Sequence, residues 1–221
     1  MQTARPPQQP DRLKSWASSL AKALLVLCLC TGIAGADMLD TDGMEPWELC
    51  GLCHGLQGVS PVPRFPHLAH QSTAYIEKQF RDFRDGLRHN DGGQMGTVTM
   101  EIEPEALPKI AAYFAKQPPP PPVLEEGPRF AQGRDLFLLG RAGLRACIDC
   151  HGPLASAADV PWLEAQHRDY LLKQLSDFAS GARSNDPGGV MQALAESLEP
   201  AEREALADYL AATERPNGDF E

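Results

Sequence analysis

Cys147-Ile148-Asp149-Cys150-His151 and Cys50-Gly51-Leu52-Cys53-His54 are the two stretches whose residue types and spacing could do chemistry. Two thiols three residues apart, followed at once by an imidazole, form the attachment signature of a c-type haem. Both thiols can make thioethers to one porphyrin edge, and the histidine then projects over the ring, where it can bind the iron. A single copy has other readings. A redox dithiol belongs to a βαβ context, and a zinc site would want Cys-x-x-Cys pairs without the fixed trailing histidine. Two copies inside one repeated frame favour two covalently bound haem c groups, attached at Cys50 and Cys53 and at Cys147 and Cys150, with His54 and His151 as iron ligands.

An iron held by one histidine has a sixth position. A methionine thioether there raises the reduction potential and leaves no open site for substrate. The second half contains one methionine, Met191, 40 residues after His151, and its repeat partner Met95 lies 41 residues after His54. Met100, His67 and His70 compete with Met95. Repeat alignment favours Met95, because Met100 falls over Glu196. His67 and His70 read as exposed loop residues, and Met100 as packing. A ligating imidazole usually donates its other N–H to a carbonyl or carboxylate; the carbonyls of Pro66 and Pro161 are candidates. Arg88 and Arg183, each followed two residues later by asparagine, are candidates to hydrogen-bond haem propionates.

The elements that must position these residues are helical. Tyr75 to Leu87 reads as an amphipathic helix, with Tyr75, Ile76, Gln79, Phe80, Phe83 and Leu87 on one face, ended by Gly86 and the His89–Gly93 run. Met95 and Met100 fall in or near the following loop, and Glu103-Pro104 opens a further helix reaching Lys116. Gly58 to Pro66 is a proline-rich loop. Pro118 to Pro122 is five prolines in a row, which favours a semi-rigid polyproline II spacer and marks a boundary. Beyond it the pattern repeats. Tyr170–Phe178 lies over Tyr75–Phe83, followed by Gly181 over Gly86, Arg183 over Arg88, Asn185 over Asn90 and Asp186 over Asp91. Pro161, Gln166 and Tyr209 likewise lie over Pro66, Gln71 and Tyr113, at an offset of 95 to 97 residues. This is an internal duplication. Each half is under 100 residues, so a protein-only core would be marginal and the haem should fill much of it.

The N-terminus carries Arg5, Arg12, Lys14 and Lys22, then an apolar run from Ala23 to Ile33 and Ala34-Gly35-Ala36. This reads as a secretory signal peptide over 1–36; the alternative is an uncleaved tether giving peripheral membrane association. Of six cysteines, Cys28 and Cys30 would leave with it, and two haem sites use the other four. Removal takes away four cations and Asp11, moving the net charge from −10 to about −13. So acidic a chain lacks the basic footprint of a nucleic-acid binder.

The signature cysteines and histidine, Pro-x-Leu, the Tyr-x-x-x-Gln-x-x-x-Phe helix, Gly-x-Arg-x-Asn-Asp and the methionine together resemble class I cytochrome c domains. Their tandem arrangement resembles the dihaem cytochrome c4 family over roughly residues 44 to 214, with Gly133-Arg134-Asp135-Leu136-Phe137 similar to the lead-in of that family's second domain. The resemblance implies an all-α protein of two tandem domains, 37–117 and 129–221, joined by a proline-rich linker at 118–128. It implies a periplasmic carrier of single electrons, from a quinol-oxidising complex toward a terminal oxidase. The alternative is a cytochrome subunit taking electrons from a partner dehydrogenase. A dihaem peroxidase would need an open sixth position, which methionines at matching positions in both halves argue against. His70 replaces the family's usual glycine, residues 152–160 are shortened, and the linker is longer and stiffer. These departures predict looser docking between the halves.

Overall fold

The computed structural model describes residues 43–153 and 159–216. The expected signal peptide lies outside them. The first half contains α1 (Pro46–His54), α2 (Thr73–Arg84), α3 (Gln94–Met100) and α4 (Leu107–Ala115), with a 3-10 turn at Pro104–Ala106 before α4. The second contains α5 (Phe130–Leu139), α6 (Ile148–His151), α7 (Arg168–Ser180), α8 (Val190–Ser197) and α9 (Pro200–Ala212), with a 3-10 turn at Pro187–Gly189. The only extended pairing among the described residues is an isolated bridge between Arg141 and Leu144.

Local chemistry sets several of these boundaries. At α1, Glu45 and Glu48 form a reciprocal capping box and Pro46 takes a first-turn position whose missing N–H is no loss. Glu199, Glu202 and Pro200 repeat the device at α9. The Ser72 hydroxyl accepts the Tyr75 N–H to start α2. That helix ends at Arg84, three residues earlier than the periodicity suggests, because Gly86 turns at φ +72°. Leu87, expected on the apolar face, therefore leaves the helix and is 61% exposed. Met95, expected in or near a loop, stands in helix α3. There the Thr99 hydroxyl bonds back to the Met95 carbonyl at 2.8 Å. Thr99 is fully buried, and this back-bond satisfies its hydroxyl within the helix.

Each half has its own core. In the first, Leu49 of α1 meets Ile76 and Phe80 of α2 and Ile110 and Phe114 of α4. In the second, Leu136 and Phe137 of α5 pack on Leu206, Tyr209 and Leu210 of α9 and Leu171 of α7. The α5–α9 crossing is tight enough to require Gly133, since a Cβ there would stand 2.0 Å from the Ala205 carbonyl oxygen. In the first half α1 meets α4 instead through Trp47 stacked on Tyr113, ring centroids 4.4 Å apart.

The polyproline segment does not hold the halves apart. Its end is pinned where the Val123 and Leu124 amides reach the Ala211 carbonyl at 2.9 and 3.3 Å. The halves meet through a dense, duplicated hydrogen-bond network, so the looser docking predicted from the linker is not found. A stiff spacer leaves docking to the side chains that meet, and here they complement each other.

Candidate haem centres

On α1, Cys50, Cys53 and His54 fall within one helical turn, with both thiols and the imidazole on adjoining faces. Cys147, Cys150 and His151 take the same relation around the short α6. The imidazoles are buried and oriented alike. His54 Nδ1 lies 2.8 Å from the Pro66 carbonyl oxygen, and His151 Nδ1 lies 2.9 Å from that of Pro161. A carbonyl only accepts, so each Nδ1 carries the proton and each Nε2 keeps a lone pair. Burial pushes both histidines below the ordinary range, which keeps them neutral near pH 7.

The thiols fit haem better than the competing chemistries. All four described cysteines are free. Burial pushes Cys50 and Cys147 up to about 11, away from the depressed values that a redox dithiol needs. Among the described residues, no three His, Cys, Asp or Glu side chains converge to hold a bare metal ion. Free thiols at thioether spacing beside a neutral imidazole with an available Nε2 suit covalent haem.

Met95 and Met191 are the second residues of α3 and α8, both partly buried. Neither helix has a side-chain cap, because Gly93 and Gly189 occupy the N-cap in left-handed conformations. An aspartate from the preceding loop substitutes. The Asp91 carboxylate accepts the Met95 amide at 2.5 Å, and that of Asp186 accepts the Met191 amide at 2.7 Å. Met100 is 60% exposed at the far end of α3. His67, expected in an exposed loop, is instead 2% exposed, with its Nδ1 accepting from the Ser60 amide at 2.9 Å and its ring 4.1 Å from that of His167.

Arg88 and Arg183 are buried and point across the interface. Arg88 donates to Asn90 and Gln79 of its own half and to Tyr170 and Gln174 of the other. Arg183 mirrors it, with Asn185 and Gln174 on its own side and Tyr75 and Gln79 opposite. Four of the five guanidinium hydrogens are thereby committed in each, which leaves a single donor for a propionate. Lys78 and Lys173 extend the pattern, each reaching the asparagine carbonyl opposite at 2.7 and 2.6 Å.

No protein-family model matches the chain. Cytochrome c4 of Pseudomonas aeruginosa is 37% identical over 197 residues, spanning 86% of this chain and 96% of that one. The chain belongs to the cytochrome c4 family. The structure of reduced recombinant cytochrome c4 from Pseudomonas stutzeri superposes with a TM-score of 0.68 at 32% identity, covering 78% of this chain and 98% of the other. A thiosulfate dehydrogenase electron acceptor of Thiomonas intermedia is 34% identical over 170 residues, spanning 74% of this chain and 77% of its own. As a cytochrome c4, this protein has two class I cytochrome c domains and two covalently attached haem c groups, and it transfers electrons rather than acting as an enzyme. No helix among the described residues is long and apolar enough to cross a membrane.

Sequence reasoning missed the cross-domain partners. Gln71 and Gln166 were visible as matched positions of the repeat, but nothing in a one-dimensional pattern says that each faces the other half. Arg215 gave no signal, since the repeat has no arginine opposite it. It is buried and bridges the halves, donating to the Ala69 carbonyl at 2.6 Å and twice to that of Glu164 at 2.9 and 3.0 Å. Burial brings it down to about 10, so it stays charged at neutral pH.

Proposed function

We propose that this cytochrome carries single electrons in the periplasm, from a quinol-oxidising complex toward a terminal oxidase. In this reading 1–36 is a signal peptide, and domains 37–117 and 129–221 are joined by the linker 118–128. Cys50 and Cys53 hold the first haem and Cys147 and Cys150 the second, with His54 and Met95, and His151 and Met191, as axial ligands. The haems supply reversible one-electron chemistry at iron. The observation that carries the reading is the duplicated clamp of each histidine on a proline carbonyl, at 2.8 and 2.9 Å. That clamp fixes the imidazole plane and its tautomer, so little in the protein need move when an electron arrives. The aspartate-anchored methionine helices support a closed sixth position in both domains.

The test is the optical spectrum of the purified protein, oxidised and reduced, with haem stoichiometry by pyridine haemochrome. Two haems per chain, each with a methionine-to-iron charge-transfer band lost separately in Met95→Ala and Met191→Ala, support the assignment. One haem, or a high-spin spectrum, overturns it. The similarity to a thiosulfate dehydrogenase electron acceptor favours a second reading, in which the donor is a dehydrogenase. Reduction by the dehydrogenase that co-purifies with the chain, faster than by quinol-oxidising membranes, would select that reading.

A further inference from the structure

The peptide group between Pro66 and His67 has two faces in use. Its carbonyl accepts His54 Nδ1 at 2.8 Å, while its N–H donates to Gln166 Oε1 of the other domain, also at 2.8 Å. The Pro161–Trp162 peptide is placed identically: its carbonyl accepts His151 Nδ1 at 2.9 Å, and its N–H donates to Gln71 Oε1 at 2.9 Å. Each glutamine also donates from Nε2 to the carbonyl of the residue it grips, His67 or Trp162, at 3.1 Å. All four of these residues are buried. The glutamine carbonyl oxygens are aimed by their own chain, through the amides of Ser72 and His167 at 3.1 and 3.0 Å. Immediately before each glutamine the backbone turns left-handed at a non-glycine residue, φ +56° at His70 and +52° at Ala165. An L-residue takes that conformation at a cost, and here it occurs twice at equivalent places, sending the glutamine into the other domain.

We infer that Gln71 and Gln166 are positioning residues acting in trans: each completes, through one peptide group, the hydrogen-bond chain that orients and polarises the proximal histidine of the opposite domain. The inference rests on His54 and His151 being iron ligands. An amide whose N–H is engaged by a strong acceptor has a more negative carbonyl oxygen, because hydrogen bonds in a chain polarise one another. That carbonyl then pulls harder on the histidine Nδ1–H, which makes the imidazole a more basic ligand and favours ferric iron. The potential of each haem is therefore set partly by a residue of the other domain. The duplication places these reciprocal links in the same interface.

The experiment compares Gln166→Ala and Gln71→Ala in the full holoprotein, with the two redox waves assigned by which one falls in potential in Met95→Ala and which in Met191→Ala. Gln166→Ala is expected to raise the potential of the haem at Cys50 and Cys53. The reduced-to-oxidised ratio at fixed applied potential should change by roughly two- to fivefold, with a much smaller change at the haem at Cys147 and Cys150. Gln71→Ala should show the opposite pattern. The paramagnetically shifted haem-methyl resonances, which report the plane of the axial imidazole, should move in the same crossed fashion. Interface loosening alone would move both haems together or lower their potentials by admitting water. That result, or a shift confined to the haem of the mutated domain, overturns the inference. If either alanine variant fails to fold, Gln→Asn at the same position keeps the buried amide but withdraws it by one methylene, and the crossed pattern must still appear. Failure of the ligand assignment would show earlier, as a wild-type spectrum without two histidine–methionine haems, whereas failure of the trans link leaves that spectrum intact.

Discussion

With Met191 proposed as the sixth ligand of the second haem, removing the Asp186 carboxylate should open that position. Helix α8 begins with left-handed Gly189 at its N-cap and so has no side chain of its own to receive its first amides. Asp186 Oδ2 takes two of them, Met191 N–H at 2.7 Å and Gln192 N–H at 3.3 Å. A lost N-cap contributes about 1 kcal/mol, and an ionised acceptor roughly doubles that. Against this, Asp186 Oδ1 is buried without a protein partner, a desolvation cost that the substitution relieves. A net of about 1.5 kcal/mol remains, equivalent to a roughly tenfold larger fraction of molecules with the methionine helix frayed. An external ligand binds only that fraction, so its apparent dissociation constant falls by the same factor. The assay is titration of oxidised Asp186→Ala with imidazole, following the methionine-to-iron charge-transfer band. Binding at the second haem should tighten about tenfold, while the first haem, whose methionine amide is held by Asp91, should be unchanged. Unchanged affinity at the second haem, or equal tightening at both, would refute the reasoning.

Ala165→Gly should be close to neutral although Ala165 is fully buried: the relief of a left-handed alanine, about 1–2 kcal/mol, offsets a lost methyl of about 0.8 kcal/mol and the added chain entropy. Ala205→Gly, equally buried but inside α9, should cost about 2 kcal/mol from propensity and packing together, so denaturant unfolding of the pair isolates the backbone contribution. Acid should destabilise the protein well before its carboxylates protonate. Burial, and then the neighbouring charges of His167 and Arg215, push His67 down to about 3 from the ordinary 6.5. The unfolded chain therefore binds a proton that the folded chain refuses. This contribution to stability is complete above about pH 6.5 and is lost as the pH falls from there toward 3, so the urea midpoint should drop between pH 7 and 4.5, and less steeply in His67→Gln.

The candidate haem sites were legible at the level of residue type because their chemistry is local. Two thiols and an imidazole must lie within one turn of helix, and that constraint leaves a signature five residues long. Duplication singled out Met95 and Met191 as the candidates for the sixth position, by giving each an equivalent at a fixed offset. Helix ends were less legible: Gly86 ended α2 early enough to expose Leu87, and the stretch around Met95, expected in or near a loop, forms α3 with its first turn received by the Asp91 carboxylate.

Taken alone, the sequence determined that there are two haems, two similar helical domains and a proline-rich boundary between them. What only the tertiary structure decided is how the domains meet. The linker's composition suggested separation, yet Gln71, Gln166, Arg88, Arg183 and Arg215 bind across the interface in hydrogen bonds spanning roughly 80 to 150 positions of chain. The physical reason is one of range. A covalent attachment site or a helix cap is satisfied by neighbours in the chain, and so writes its requirement into adjacent residues. A buried amide or guanidinium can be satisfied by any group that the fold brings within about 3 Å, and the identity of that group is a property of packing.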